Sequence, residues 1–140
     1  MKTFLLILGT AFITIPGIAQ NDKSLEVIVE NVSSNEGRMM VALFNTKKNF
    51  TSSPWKGEKP PALKGTMHVF FKDVPAGEYA IAVYHDENEN LKMDSNLIGM
   101  PKEGYGFSND AMGSFGPPSF EKALIRWSGA EKYTIHLKYP

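Results

Sequence analysis

Apolar residues that recur at every second position, in short runs broken by turn-forming residues, are what most restrict the folding of this chain. From Ser24 to Val32, Leu25, Val27 and Val29 fall on one side and Glu26 and Glu30 on the other. The final run sets Tyr133, Ile135, Leu137 and Tyr139 against Thr134, His136 and Lys138. Successive side chains of a strand point to opposite faces, so both runs predict strands with one buried side. Arg38 to Asn45 is apolar on both sides, Met39, Val41 and Leu43 against Met40, Ala42 and Phe44, and is expected to be interior. Ser33 to Gly37 should join the first two strands as a hairpin. Thr66 to Lys72 and Glu78 to His85 supply two more strands, separated by the turn Asp73-Val-Pro-Ala-Gly77. Phe120, Ala123, Leu124 and Trp127 fit a helical period, and with only eight residues a single helical turn leading into a strand at Ala123 to Trp127 fits equally well.

Amphipathic strands cannot leave their apolar faces in water, which points to two sheets packed face to face. The expected fold is all-β, an antiparallel two-sheet sandwich of about six to eight strands. Twelve glycines and nine prolines favour many turns over a helical bundle, and 140 residues at 42% hydrophobic suffice for one domain with a real core. Fifteen basic and fifteen acidic residues cancel. That balance gives no global field for nucleic acid or an anionic membrane surface, so neither is expected as a partner.

Met1-Lys2, the apolar run Phe4 to Ile15 and the small residues of Pro16-Gly17-Ile18-Ala19 have the build of a secretory signal peptide. Residues 1–19 are expected to be removed after Ala19, leaving 20–140 as one secreted or periplasmic domain with no membrane insertion. The chain has no cysteine, so its stability must come from packing rather than disulfides, with a metal ion as a possible addition. Asn31-Val-Ser33 and Asn49-Phe-Thr51 match glycosylation acceptors, which matter only on a eukaryotic secretory route.

The stretch with the most chemistry follows the fourth strand. Asp86, Asn88, Asn90 and Asp94 are the first, third, fifth and ninth positions of a loop, and Lys92 would add its carbonyl at the seventh. Alternate oxygen-bearing side chains on a curled backbone converge, and a hard cation such as Ca²⁺ takes such oxygens. Leu97 stands where an EF-hand needs glutamate, so a further carboxylate would come from Glu103, Asp110 or Glu121. The affinity expected is that of extracellular modules, roughly 10⁻⁴ to 10⁻³ M. The alternative is an asparagine-rich hairpin whose side chains cap their own backbone.

Two long segments, Thr46 to Gly65 and residues 95 to 119, lack any period. Prolines in the first argue against a regular ladder, while Trp55, Tyr105, Phe107 and Phe115 offer a stacking platform for a glycan or peptide. Burial over the sheet is the competing use of these aromatics. His85 beside Asp86, with Ser108 as nucleophile, holds the ingredients of a hydrolase, against a histidine that merely closes a strand. His68 is expected to pack within its strand and His136 to face solvent. Gly113-Ser-Phe-Gly116 has Met112 where a nucleophile elbow needs its first glycine. The favoured reading is a non-enzymatic module.

Asp73-Val-Pro-Ala-Gly-Glu-Tyr-Ala-Ile-Ala-Val-Tyr-His-Asp-Glu-Asn-Glu-Asn90, Asp94-Ser-Asn96, Gly99-Met-Pro-Lys-Glu-Gly-Tyr-Gly-Phe-Ser-Asn109 and Pro117-Pro-Ser-Phe-Glu-Lys-Ala123 resemble a family of secreted bacterial proteins known as domain of unknown function 2141. The resemblance spans nearly the whole chain after residue 19 and implies no established activity. A strand followed by Pro75-Ala-Gly-Glu-Tyr79 is similar, more loosely, to transthyretin-like and carboxypeptidase regulatory β-sandwiches, which implies a transthyretin- or Ig-like arrangement. One position departs from the family's loop: Leu91 stands where a glycine is expected.

Overall fold

The computed structural model describes residues 23–140. Eight strands run β1 (Leu25–Val32), β2 (Arg38–Phe44), β3 (Lys56–Glu58), β4 (Gly65–Phe71), β5 (Gly77–Asp86), β6 (Tyr105–Phe107), β7 (Leu124–Trp127) and β8 (Lys132–His136). A 3₁₀ turn at Ser108–Asp110 and a one-turn helix α1 at Phe120–Ala123 lie between β6 and β7. The strands form a three-stranded sheet, β4-β1-β8, and a five-stranded sheet, β3-β2-β5-β6, with β7 also paired to β5. The fold is an all-β sandwich. The signal segment predicted at residues 1–19 lies outside the described residues.

The inward sides carry the core: Leu25, Val27 and Val29 from β1, Met39, Val41 and Leu43 from β2, and Tyr79, Ile81 and Val83 from β5, closed by Trp127, Ile135 and Leu137. Burial alternates along β4, where only one face meets the opposite sheet, whereas β5 buries Tyr79, Ala80 and Ile81 in succession. β2 is apolar on both faces for a separate reason. Ala42, Ala80 and Ala82 leave shallow ground on the outer face of the larger sheet, and Phe44, Phe50, Phe107 and Phe120 fill it as a second cluster. Phe50 stands edge-on to three of these rings, at centroid distances of 5.4 Å to Phe44, 6.0 Å to Phe107 and 5.6 Å to Phe120. Edge-to-face contact of this kind adds to plain burial.

Four expectations need correction. β1 and β2 do not form a hairpin; β1 pairs β4 and β8, while β2 pairs β3 and β5. The register of β1 slips between Val29 and Val32, around Asn31 at φ 65°, and such a bulge turns the strand end out of its sheet. Gly37, at φ 68°, then carries the chain to the other layer so close to β5 that a Cβ there would lie 2.0 Å from the Asp86 carbonyl oxygen. Second, the sandwich is not wholly antiparallel, because β1 and β8 run parallel with Glu26 opposite Lys132 and Val29 opposite Ile135. Third, the two long segments each hold a short strand: β3 pairs β2 through Gly57–Ala42, and β6 pairs β5 through Gly106–Val83. Fourth, His68 is not packed in the core. It faces outward beside Glu26, with Nδ1 2.7 Å from Oε1, since β4 buries Met67 and Val69 instead.

β6 and β7 lie end to end along one edge of β5, at Ala82–Tyr84 and Gly77–Ala80 respectively. Their junction falls where Ser108 stands. β5, the longest strand, therefore runs through the middle of the larger sheet and delivers its last residues, His85 and Asp86, into the loop that follows.

Candidate functional site

Asp86 closes β5 and is fully buried. Its two carboxylate oxygens accept the backbone N–H groups of Asn90 at 3.1 Å and Leu91 at 2.8 Å, which curls the loop over the strand end. Asn88 Oδ1 accepts Asn90 N–H at 3.2 Å and Asn90 Oδ1 accepts Lys92 N–H at 2.9 Å, repeating the same local turn. Glu89 and Leu91 take positive φ, 55° and 63°. The place where glycine is expected thus adopts the left-handed backbone that favours glycine, and Leu91 adopts it nonetheless.

The curl brings positions three, five and nine together. Asn88 Nδ2 donates to Asp94 Oδ2 at 2.7 Å, and Asn90 Nδ2 donates to both Asp94 oxygens at 2.9 and 3.0 Å. The Asn90 and then the Asn88 carboxamide hold the Asp94 carboxyl below the usual carboxylate range. Behind it, buried Glu103 accepts the Asp94 N–H at 3.1 Å. Burial, and then the charges of Asp94 and Asp86, push Glu103 above its ordinary value. Tyr84 is raised too, by burial first and then by Asp86, Glu103 and Asp94. Three carboxylates therefore share one electrostatic neighbourhood, with negative charge in excess of its neutralisation. Among the described residues no three His, Cys, Asp or Glu side chains converge as a metal-holding group; the donors that meet are one carboxylate and two carboxamides. All are hard oxygen chemistry once an amide presents Oδ1, which suits calcium rather than a thiophilic ion.

Of the three carboxylates expected to complete the loop, only Glu103 reaches it. Asp110 instead accepts both the backbone N–H of His136 and its Nδ1, at 3.0 and 2.8 Å. Glu121 pairs with Lys47 at 2.7 Å. Both are drawn away because the 3₁₀ turn and α1 lie along β7 and β8, on the far part of the β5 edge.

His85 is fully buried and both ring nitrogens are engaged. Nε2 lies 2.6 Å from the Glu36 carbonyl oxygen, which can only accept, so Nε2 donates. Nδ1 then takes the Tyr139 hydroxyl at 2.8 Å, and that hydroxyl oxygen accepts Ser33 N–H at 3.0 Å. Ser108 is equally enclosed: Oγ accepts Ile81 N–H at 2.9 Å and donates to the Ala123 carbonyl, filling the gap between β6 and β7. Neither residue faces an opening, and they do not touch each other. The Tyr139 link went unread in the sequence, where Tyr139 registers only as an apolar position of the final run.

The four aromatics do not make a shared surface. Trp55 lies over Tyr79 at 5.6 Å, Phe107 belongs to the second core, Tyr105 is half-buried beside Phe107 at 6.3 Å, and Phe115 projects fully into solvent.

A sandwich whose central strand ends in a curled, carboxylate- and carboxamide-lined loop defines a class by shape and site but by no reaction. The chain belongs to the bacterial family described as "Uncharacterized protein conserved in bacteria (DUF2141)", whose pattern matches residues 27–135. No curated protein and no solved structure matches it.

Proposed function

We propose that this is an exported, non-enzymatic β-sandwich module whose Asp86–Asp94 loop takes a calcium ion. The observation that carries the reading is the meeting of Asn88, Asn90 and Asp94 at 2.7–3.0 Å over a loop pinned from beneath by Asp86. The ion would take over the Asp94 carboxylate that the two amide groups now hold, with Asn88, Asn90 and the Lys92 carbonyl as further oxygen donors. Its charge would relieve the crowding of Asp86, Asp94 and Glu103. Because Glu103 holds the Asp94 backbone, the ion would also fasten residues 95–104 to the end of β5.

The test is thermal unfolding in calcium and in chelator. For a dissociation constant of about 1 mM, 10 mM calcium contributes about 1.4 kcal/mol, a rise on the order of 5 °C in Tm. Asp94→Asn should remove most of that rise. An unmoved wild-type Tm, or an equal rise in the variant, overturns the reading. Export is tested separately, by finding Gln20 as the first residue of protein recovered outside the cytoplasm.

A further inference from the structure

The outermost strand of a sheet carries backbone N–H and C=O groups that no neighbour takes, and a fold must cover them or leave them open to another strand. Most edges here are covered. On the outer side of β8, Asp110 accepts the His136 N–H at 3.0 Å, and Lys138 exchanges backbone bonds with Tyr105 at 2.9 and 3.0 Å. On the outer side of β7, Asn109 donates to the Leu124 carbonyl at 2.9 Å and the Tyr133 hydroxyl donates to that of Arg126. β3 is three residues long and runs into Pro60-Pro61, which have no N–H to offer.

β4 is the exception. Leu137 N–H donates to the Glu30 carbonyl at 3.0 Å, so Glu26, Ile28 and Glu30 aim their backbone groups at β8, while Leu25, Val27 and Val29 aim theirs at β4. Their partners Phe71, Val69 and Met67 face back into that ladder. Thr66, His68 and Phe70 therefore turn their N–H and C=O groups outward, and among the described residues none of these groups has a bonding partner. A cap stands only past the strand's end, where Lys56 Nζ donates to the Lys72 carbonyl. Along the open edge lies a groove of about 380 Å³, lined by Glu58, Lys59 and Pro60 on one side and His68, Val69 and Phe70 on the other. β4 itself holds no lysine or proline to guard it, and Phe70 is 51% exposed.

An extended strand is what fits such an edge, and the order of residues along β4 suits a copy of itself. We propose that two copies of this chain pair antiparallel through β4 about a two-fold axis at Val69, joining their three-stranded sheets into one continuous sheet. In that register His68 stands opposite the partner's Phe70, and Phe70 opposite the partner's His68. Both are outward-bonding positions, so each pair exchanges N–H to C=O bonds in both directions. Each exposed phenyl ring gains an imidazole as its cross-strand neighbour, a contact that adds to the backbone bonds. Thr66 meets the partner's Lys72, so no like charges are opposed. An axis at His68 would instead set that imidazole against the partner's His68. Beneath the edge, Glu58 and Lys59 give the two copies opposite charges to exchange across the axis. The pairing does not rest on the calcium reading, since β4 belongs to the other sheet from the strand that ends in Asp86.

Sedimentation equilibrium of the purified protein between about 1 μM and 1 mM tests this. The wild type should pass from monomer to dimer within that range, because a single strand pair makes a small interface. Phe70→Lys should weaken the dimer by about tenfold or more, since an edge lysine guards against strand addition. An unchanged Tm at low concentration checks that variant's fold. The chain has no cysteine, so an introduced one reports the register. Val69→Cys should form a disulfide between copies on mild oxidation, because the pair at the axis brings its Cβ atoms close. Thr66→Cys, far from its own copy in this register, should not. A monomer at every concentration, including one that takes up an extended peptide instead, a dimer left intact by Phe70→Lys, or equal cross-linking at both cysteines each overturns the proposal.

Discussion

At the scale of single residues, Glu103 shows how burial and neighbouring charge act on one group. Burial and the charges of Asp94 and Asp86 raise its folded-state pKa, so between its ordinary value and the raised one the folded protein binds more protons than the unfolded chain. Stability then falls as pH rises through that window and stays lower above it. Glu103→Gln keeps an oxygen to accept the Asp94 N–H and removes the charge. In chelator at pH 7 the variant should therefore be more stable than wild type in urea melts, with the gap closing at pH 4. In calcium the order should reverse if the carboxylate contributes to holding the ion. Residue identities made much of this legible, because the 1, 3, 5, 9 spacing marks which side chains a curled backbone gathers. The glycine expected at Leu91 was legible as a conformation rather than as an identity: φ of 63° is there, carried by a residue that pays for it in strain. That Asp110 and Glu121 go elsewhere was not legible, since which of three carboxylates reaches a loop depends on how the intervening segment runs.

At the scale of elements, the 3₁₀ turn is fastened across the sandwich by His136. Its Nδ1 meets Asp110 at 2.8 Å and its Nε2 meets Glu30 at 3.0 Å, tying the turn to β8 and β1. The Asp110 hydrogen bond, followed by its charge and that of Glu30, raises the imidazole pKa above 6.5. A raised histidine pKa stabilises the fold fully below the unfolded value, and the contribution is lost as pH rises through the folded one. Asp110→Asn should lower the His136 pKa in an NMR titration and weaken the protein at pH 5.5 by no more than about 1 kcal/mol, since these groups are half exposed. At pH 9 wild type and variant should nearly coincide. Strand existence was readable from alternation, as β1, β4 and β5 lie within a residue of their expected positions, while β8 ends at His136, three residues short of the run that extends to Tyr139. Pairing was not. A hairpin between β1 and β2 satisfies sequence proximity, but the bulge at Asn31 and the close approach at Gly37 are effects of three-dimensional packing. The strands β3 and β6 were hidden because three residues are too few to show a period.

At the scale of the whole molecule, the larger sheet is covered on both faces, one by the smaller sheet and the other by rings, Phe44 and Phe107 from its own strands and Phe50 and Phe120 from the segments between them. Phe50, outside any strand, is the centre of that outer cluster. Phe50→Ala should cost about 3 kcal/mol in denaturant unfolding, approaching a core substitution, because three rings lose their partner at once. Phe115→Ala, from a fully exposed ring, should change stability by less than about 0.5 kcal/mol. A much smaller loss at Phe50 would mean that the outer cluster closes without it.

The parallel pairing of β1 with β8 constrains when the molecule can become itself. Partners in that ladder stand more than a hundred positions apart, so the central strand of the smaller sheet has a neighbour on one side only until almost the last described residue is made. Leu25, Val27 and Val29 must wait in the open for most of synthesis, and a chain with so many distant pairings folds slowly once released.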